Sequence, residues 1–329
     1  MALASPAMLA VPVQPSVHEM SVTAKPISPP QSPPARIART ARTRAISGGA
    51  AVDEPTGGLE ACEEATSTPY RREVGVTAAG LPLECPSVRA LVVLPTYDEA
   101  ANIEEVLRRL REACPTVNVL VVDDGSPDGT ADIAEAMAEE IGDVEVMRRP
   151  AKSGLGSAYR DGFRHGLING FDIMVEMDSD LSHDPAALPT LLEQVENGAD
   201  LAIGSRYVEG GSIPDWSWHR RALSKWGNRY AAAVLGIDVN DATAGYRAYS
   251  ASALAEIDFQ SVRADGYAFQ IEMAHRVIQA GGVVREVPIQ FVDRVRGTSK
   301  MSGMIVVEAL ALVTWWGVRD RLLRRNARP

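Results

Sequence analysis

The chain has 329 residues, 46% of them hydrophobic, and its formal net charge is −10. That length has room for one large domain or two ordinary ones, and the acidic balance excludes bulk attraction to nucleic acid. Three cysteines without a Cys-x-x-Cys spacing predict neither a disulfide framework nor a zinc site, so a reducing cytosol is the expected compartment.

Residues 1–86 differ in composition from the remainder of the chain. Prolines crowd the stretch around Pro29–Pro34, and Ala, Ser, Thr and Gly dominate elsewhere. Such a segment buries too little apolar surface to offset the entropy of ordering it, so we predict a disordered tail. Its apolar start lacks the basic region that precedes the apolar core of a signal peptide.

From Val88 onward, short apolar runs alternate with amphipathic stretches. The runs predict strands at 89–94, 117–122, 143–147, 171–177 and 200–204, and the stretches predict helices at 99–113, 130–141, 156–169 and 185–197. This alternation predicts an α/β fold with a mainly parallel, doubly wound sheet, whose nearly continuous apolar strands fit burial on both faces. Ligands in such sheets bind beyond the carboxyl ends of the strands.

The remainder of the chain mixes helices with a short strand at 283–288 and ends in an amphipathic helix whose apolar body spans 304–318. We therefore divide the chain into a tail (1–86), a globular domain (87–303) and a basic C-terminal helix (304–329). No window reaches ~18 uninterrupted apolar residues, so no transmembrane helix is predicted.

Two carboxylates one residue apart, Asp178 and Asp180, follow the fourth predicted strand. The chain leaves the strand there, so both side chains can converge on one point, where they repel each other unless a cation lies between them. Hard oxygen ligands suit Mg²⁺ or Mn²⁺, and Mg²⁺ is usually held by one or two carboxylates plus substrate phosphates. The pair therefore predicts a metal site for a nucleotide diphosphate, although a lone D-x-D also occurs in solvated loops.

Asp123 and Asp124 follow the second predicted strand and precede a Gly-Ser-Pro-Asp-Gly turn. Turn chemistry accounts for the residues of the turn itself but not for two adjacent acids at a strand end. One acid could cap the next helix, which leaves the other free to hold a ribose or a base.

The segment Lys152–Gly156 opens the third predicted helix with two glycines. Glycine-rich turns before a helix bind anions, but this one lacks the Walker spacing. Close approach of its backbone to a nucleotide and a plain turn before a helix both remain open.

Several cations follow the acidic segments along the chain. Singly, each is more often a solvated surface residue, but together they suit a second, phosphate-bearing substrate. They are Arg206 after the fifth strand, Arg220 and Arg221 beside Ser224 in the next helical stretch, and Arg294 and Lys300 in a later loop.

These segments occur in one order along the chain, and their combination is specific. They are Pro95-Thr96-Tyr97-Asp98-Glu99, Asp123-Asp124-Gly125-Ser126-Pro127-Asp128-Gly129-Thr130, Gly154-Leu155-Gly156, Glu176-Met177-Asp178-Ser179-Asp180-Leu181-Ser182-His183, Gly204-Ser205-Arg206-Tyr207 and Val292-Asp293-Arg294 with Gly297-Thr298-Ser299-Lys300. Over residues 88–325 the chain resembles family-2 glycosyltransferases with the GT-A fold. More narrowly, it resembles polyprenol-monophosphate and dolichol-phosphate mannose synthases of the actinobacterial type.

The resemblance implies transfer of mannose from GDP-mannose to a polyprenyl phosphate, with inversion and with Mg²⁺ or Mn²⁺. It assigns the guanosine part of the donor to Pro95, Tyr97, Glu99, Val122 and Asp124, and the metal and diphosphate to Asp178, Ser179 and Asp180. It assigns the donor phosphates to Arg206, and the acceptor phosphate or closure over the site to Arg220, Arg221, Ser224, Arg294 and Lys300.

One departure from the family pattern bears on the metal site. Ser182 stands where the family often has a Gln that serves as an extra metal ligand. Its hydroxyl is a shorter and weaker ligand, so we expect Ser182, a water or His183 to complete the metal shell.

A polyprenyl phosphate acceptor requires contact with a bilayer surface. Ile305, Ala309, Leu312, Val313 and Trp316 form one face of the C-terminal helix, which predicts either an interfacial helix or ordinary packing under the sheet. Trp216 and Trp218 form a second candidate anchor. We expect a cytoplasmic enzyme, peripheral on the inner face of the plasma membrane, with room for a membrane-protein partner.

Two other functions stay open at this point. A glucosyl or N-acetylglucosaminyl transferase would use a UDP-sugar with the same kind of acceptor. A non-catalytic nucleotide-sugar-binding module would bind the donor without transferring the sugar.

Overall fold

A computed structural model describes residues 88–293 and 303–326, and within the last helix it describes the side chains of 306–322. The predicted tail, residues 1–86, lies outside the described residues. So does the loop that carries Arg294 and Lys300.

The described residues form one sheet with helices on both faces. The strands are β1 Ala90–Thr96, β2 Asn118–Asp123, β3 Val144–Arg148, β4 Ile173–Glu176, β5 Leu201–Ser205, β6 Arg247–Ser250 and β7 Val284–Pro288. The helices are α1 Ile103–Ala113, α2 Thr130–Ile141, α3 Leu155–Ile168, α4 Leu188–Glu196, α5 Trp218–Leu235, α6 Ala251–Glu256, α7 Gly266–Gln279 and α8 Gly303–Asn326. Short 3-10 turns lie at Pro185–Ala187 and Phe259–Ser261.

The strand order in the sheet is β3-β2-β1-β4-β6-β5-β7. Every pairing is parallel except those of β6, which runs antiparallel to both β4 and β5. The predicted parallel, doubly wound sheet is confirmed, and β6 is an addition to it. β2 and β3 lie on one side of β1 and β4 lies on the other, so the strand order reverses between β1 and β4. Such a reversal is the topological switch point, beside which sheets of this kind bind ligands.

Both faces of the sheet are buried, as its apolar strands predicted. In β1, Leu91 and Val93 face one core with α3 and α7, and Val92 and Leu94 face the other with α1 and α4. Side chains of a strand alternate between faces, so one short run of apolar residues supplies both cores.

The C-terminal helix packs against the body of the protein. Ala309, Val313 and Trp316, which the sequence offered as a membrane face, are 6%, 1% and 6% exposed and belong to the core beneath α7. Ordinary packing is therefore the right interpretation for this face, because its apolar side chains fill the space beside α5 and α7. Within the described residues, no helix is both long and apolar enough to cross a membrane.

One cysteine departs from the sequence expectation. Cys114, buried at the end of α1, is disulfide-bonded. The sequence predicted no disulfide framework and did not indicate this bond. The spacing rule behind that prediction considers only neighbouring cysteines, whereas a disulfide joins residues that the fold brings together.

Candidate active site

Three loops meet at the carboxyl ends of β1, β2 and β4. The Ser179 hydroxyl donates to the Pro95 carbonyl at 3.0 Å, so the loop after β4 is tied to the end of β1. The Thr96 hydroxyl donates to the Asp123 carboxylate at 3.0 Å, and the Asp124 amide donates to the Thr96 carbonyl. The predicted meeting of these segments at one edge of the sheet is confirmed.

The two adjacent acids at the end of β2, Asp123 and Asp124, have different hydrogen-bond partners. Asp123 accepts hydrogen bonds from the amides of Gly125 and Ser126 and from the Ser126 hydroxyl, so it shapes the turn. Neither acid caps the next helix, because Asp128 accepts from the Thr130 amide at the start of α2. Asp124 takes part in neither the turn nor the helix cap.

Asp124 is held by a basic residue that the sequence analysis missed. Arg149 donates to one Asp124 oxygen at 2.7 Å, the Ser153 amide donates to the other at 3.0 Å, and both charged side chains are less than a tenth exposed. Arg149 also donates to the Ser157 hydroxyl at 2.6 Å. A signal was present, because Arg149 follows β3 and the carboxyl ends of the strands form the binding edge.

The other predicted nucleoside residues lie around this pair. The Lys152 ammonium stands 4.0 Å above the Tyr97 ring, so the loop before α3 covers the loop after β1. The Glu99 carboxylate accepts from Asn102 at 2.9 Å. Val122 is fully buried in β2, between β1 and β3, so the structure does not support its predicted contact with the nucleoside.

The glycine-rich segment before α3 faces a carboxylate. The Gly156 amide donates to Asp265 at 3.0 Å, and a Cβ at Gly154 would stand 2.7 Å from the same carboxylate. Asp265 thus occupies a helix N-terminus that an anion would otherwise use. This geometry favours a packed turn over a phosphate loop.

The D-x-D segment is a tight turn after β4. Leu181 adopts a φ of +65°, a conformation that a bulky residue rarely takes and that is concentrated at functional sites. This backbone lets the Ser182 amide donate to the Asp180 carboxylate at 3.0 Å, while the Asp178 amide donates to His183 Nδ1 at 3.2 Å. Asp180 is 5% exposed and Asp178 is half-buried.

His183 is a neutral packing residue beside the acids. Burial, together with the charge of Arg206, lowers the pKa of His183 to about 4, although the carboxylates of Asp180 and Asp241 oppose this shift. Its ring stacks on Tyr246 at 5.1 Å. Since Nδ1 accepts a hydrogen bond, the neutral ring carries its proton on Nε2, which disfavours the expected help in metal binding.

The donor atoms of this turn fit a divalent cation. Within the described residues no three His, Cys, Asp or Glu side chains form a closed metal site. Two carboxylates on one turn nevertheless suit Mg²⁺ or Mn²⁺, which bind with few protein ligands when substrate phosphates complete the shell. The Ser182 hydroxyl oxygen is buried without a hydrogen-bond partner in the described structure, so a ligand there would satisfy it.

Arg206 is locked in a buried ion pair rather than open to solvent. Its guanidinium donates twice to Asp241, each time at 2.7 Å, and once to the Thr243 hydroxyl at 2.8 Å. Burial disfavours the charged form, but the Asp241 carboxylate raises the pKa of Arg206 above its ordinary value. The rings of Trp216 and Phe291 flank the guanidinium at 5.6 and 5.4 Å.

Trp216 is therefore not a membrane anchor. It is 6% exposed, whereas Trp218, the other half of the predicted pair, is 76% exposed. Trp216 is buried because its ring lies between Arg206 and Arg220, and Arg220 stacks on it at 3.8 Å. The role of Arg206 on the donor phosphates stays a prediction, and the pairing with Asp241 favours an indirect one.

The predicted acceptor residues of α5 lie next to this cluster. Arg220 forms an exposed ion pair with Asp293 at 3.2 Å, at the edge of the described chain. Arg221 is exposed, and Ser224 is half-buried one turn further along the helix. Asn228 anchors α5 to the site, because it exchanges hydrogen bonds with Thr243 at 3.1 Å.

Tyr267, in the first turn of α7, is a half-buried tyrosine whose pKa is influenced by charged residues of the site. Burial raises its pKa, while the charges of Arg206 and Arg220 oppose that rise and Asp178 adds to it. The phenol therefore lies within electrostatic reach of both the cationic and the acidic residues. No short motif marks it, since only the tertiary fold brings α7 to this edge.

The amino-acid sequence is similar to that of a known protein family and of several characterised relatives. The pattern of Glycosyl transferase family 2 matches residues 91–258. The chain is 48% identical over 259 residues to the polyprenol monophosphomannose synthase of Mycolicibacterium smegmatis. This alignment covers 78% of this chain and 97% of that protein. The chain is also 49% identical over 234 residues to the undecaprenyl-phosphate mannosyltransferase of Micrococcus luteus, which covers 71% and 96%.

Among solved structures, the fold is similar to that of a glucosyl-3-phosphoglycerate synthase from Mycobacterium tuberculosis in complex with UDP. The TM-score is 0.52 at 22% identity, over 70% of this chain and 80% of that one. At this identity the likeness concerns the fold alone, and it supports the mixed α/β sheet that the sequence predicted.

Proposed function

This chain belongs to glycosyl transferase family 2, and from that membership we propose that it transfers mannose from GDP-mannose to a polyprenyl phosphate. The observation that carries the proposal is its near-half identity to two polyprenol-phosphate mannosyltransferases over almost their whole length. Enzymes of this kind make a lipid-linked mannose donor. The finer assignments below, the nucleotide, the metal and the stereochemistry, are inferred from the site.

The donor nucleoside is assigned to the pocket around Asp124. Arg149 and the Ser153 amide hold that carboxylate in one orientation, and a fixed carboxylate can accept paired hydrogen bonds from a guanine edge or from ribose hydroxyls. Tyr97 and Glu99 flank the same pocket. Its rigidity supports a selective nucleoside site.

The diphosphate is assigned to the turn of Asp178 and Asp180. A divalent cation held by these two carboxylates would supply Lewis-acid stabilisation of the charge on the departing GDP. The carboxylates themselves hold no proton for the reaction, because both serve as anionic ligands in this assignment. The Ser182 hydroxyl is the added oxygen that the turn can offer.

The chemistry needs no general base from the chain. The acceptor is a phosphate monoester, and such groups have a second pKa near 6, so it is largely a dianion at neutral pH. One of its oxygens attacks mannose C1 as the bond from C1 to the diphosphate breaks, and attack from the opposite face inverts the configuration. Arg220 and Arg221 let this anion approach an acidic site.

The decisive experiment measures transfer of labelled mannose from GDP-mannose into organic-extractable lipid, with added polyprenyl phosphate and Mg²⁺ or Mn²⁺. We expect a mild-acid-labile product that disappears with EDTA and in Asp180→Ala. Asp238→Ala, an exposed carboxylate outside the site, is the matched control and should retain activity.

Other results would change the assignment in defined ways. Product from a UDP-sugar but not from GDP-mannose would overturn the donor and retain the enzyme class. Tight nucleotide binding without transfer from any donor would favour a binding module.

A further inference from the structure

Trp216 combines deep burial with a hydrogen-bond donor that has no partner. The side chain is 6% exposed, and the indole Nε1 is buried without an acceptor in the described structure. Buried tryptophan N–H groups usually find an acceptor, and a missing hydrogen bond costs stability. Native proteins retain few such groups, and a role in function is one reason for keeping one. The position of this ring therefore needs a functional explanation.

The face of the ring carries an arginine of the candidate acceptor site. The Arg220 guanidinium carbon stands 3.8 Å from the centre of the Trp216 ring, whereas that of Arg206 stands 5.6 Å away. Tryptophan is the aromatic residue that attracts a cation most strongly. Stacking uses the flat side of a guanidinium and leaves the N–H groups at its edge available to an anion. The ring can therefore hold Arg220 in place without occupying the groups that bind phosphate.

The ionic partner of Arg220 holds it only loosely. Arg220 Nη1 lies 3.2 and 3.5 Å from the two carboxylate oxygens of Asp293, and the two side chains are 43% and 48% exposed. The buried pair of Arg206 and Asp241 is tighter, with two hydrogen bonds of 2.7 Å. An exposed carboxylate at such distances is a weak partner, which a doubly charged phosphate can replace. During that exchange the Trp216 ring is the contact that keeps Arg220 in position.

The Trp216 ring is itself fixed to the D-x-D turn. It meets the Phe291 ring edge to face, with ring centres 5.7 Å apart, and Phe291 meets the His183 ring in the same way at 5.5 Å. The backbones of Phe291 and His183 also pair in an isolated β-bridge. His183 in turn accepts a hydrogen bond from the Asp178 amide. A continuous row of rings thus connects the turn that carries the two carboxylates with Arg220.

We propose that Trp216 is a positioning residue, which holds the Arg220 guanidinium at a set distance from the D-x-D turn so that it receives the acceptor phosphate. This inference rests on the proposed function, which assigns that phosphate to Arg220 and Arg221. Trp216 acts through Arg220 and touches neither substrate. The nucleoside is assigned to the pocket around Asp124, at the end of β2, so loss of the ring should affect the acceptor and spare the donor.

The test measures the KM of both substrates in the full chain, with water-soluble geranyl phosphate as the acceptor. In Trp216→Leu we expect the KM for geranyl phosphate to rise about tenfold, as loss of a partly buried cation–π contact predicts, while the KM for GDP-mannose stays at the parent value. Trp216→Phe keeps an aromatic face for Arg220 and should restore most of the acceptor affinity. Trp315→Leu is the matched control, because Trp315 is 59% exposed on α8, and it should behave as the parent chain does.

A double-mutant cycle separates positioning from a general effect on the fold. If Trp216 acts through Arg220, adding Trp216→Leu to Arg220→Gln should raise the acceptor KM little further, whereas independent losses would multiply. Circular dichroism of each variant checks that it is folded. Should Trp216→Leu fail to fold, Trp216→Met takes its place in the cycle, because methionine fills irregular space without offering an aromatic face.

Calorimetric binding of geranyl phosphate without a donor distinguishes this inference from the proposed function. Transfer by the parent chain, with an unchanged acceptor KM in a folded Trp216→Leu or with multiplying effects in the cycle, would overturn the role of Trp216 and leave the function intact. Binding that Trp216→Leu weakens, without transfer from any donor, would support the positioning role and count against the function. A parent chain that neither binds nor mannosylates geranyl phosphate would overturn both.

Discussion

At the residue scale, the charges of the candidate site are paired within the protein itself. Asp124 is bonded to Arg149, and Asp241 is bonded to Arg206, with both pairs almost fully buried. A buried charge is costly to leave alone, so each partner is needed to hold the other in place. Such pairs give the site a fixed shape.

The pair of Arg206 and Asp241 should be essential to stability. Asp241→Asn removes the negative partner and leaves a buried guanidinium, so we expect the free energy of unfolding to fall by about 3–5 kcal/mol. Urea denaturation followed by circular dichroism measures this change. Asp293→Asn breaks an exposed pair with Arg220 and should cost less than about 1 kcal/mol. Similar losses in the two variants would contradict the argument.

The positions of these charged residues differ in how far they can be predicted from the sequence. The acids at 124, 178 and 180 follow apolar runs, and the rule that ligands bind at strand ends brings them to one edge. Asp241 follows no strand, and its partner stands 35 positions earlier, so only the fold reveals their contact. The two predicted cations at 294 and 300 lie outside the described residues and stay predictions.

At the element scale, local pattern predicts the parallel strands and their helices but misses β6. That strand is four residues long and begins with Arg247, which a sequence rule assigns to the surface. In the structure, the Arg247 guanidinium is fully buried and donates to the carbonyls of Ala242, Ala244 and Gln270 at 2.6–2.7 Å. Two of these acceptors lie only three and five residues before Arg247, and the third lies on α7. All three are backbone carbonyls, which every residue type carries, so the sequence pattern does not predict this burial.

The contact between α5 and α8 depends on one glycine. A Cβ on Gly317 would stand 2.4 Å from a Val234 methyl and 2.8 Å from the Val234 carbonyl oxygen, so Gly317→Ala must push the helices apart. We expect a loss of about 1–3 kcal/mol in the free energy of unfolding. Gly227→Ala is the control, because nothing lies within 4 Å of its Cβ position. It should stabilise α5 by up to about 1 kcal/mol through helix propensity, and a stabilising Gly317→Ala would refute the close crossing.

At the scale of the whole molecule, two buried titratable groups next to the D-x-D turn oppose each other. Burial lowers the pKa of His183 from 6.5 to about 4. Burial raises the pKa of Glu176 from 4.5 to about 7, against the charge of Arg247, which faces it across the sheet. The folded state therefore favours a neutral imidazole and a protonated carboxyl, and these two preferences respond to pH in opposite directions.

The two contributions should nearly cancel between pH 4.5 and 6.5. The stabilisation from neutral His183 is complete above its unfolded pKa of 6.5 and is lost as the pH falls to about 4. The stabilisation from protonated Glu176 is complete below 4.5 and is lost as the pH rises through about 7. Asp128 and Asp241 act below this window, because their pKa values are lowered from 3.8.

Single variants should uncover each contribution in urea unfolding measured from pH 4.5 to 7.5 with EDTA present. In His183→Gln only the glutamate remains, so the free energy of unfolding should rise on acidification, by at most about 3 kcal/mol. In Glu176→Gln only the histidine remains, so it should fall by a similar amount over the same range. His219→Gln, which replaces an exposed histidine of α5, is the control for loss of a histidine outside the site. A profile that stays flat in both buried variants would mean that neither group keeps its shifted pKa in the folded protein.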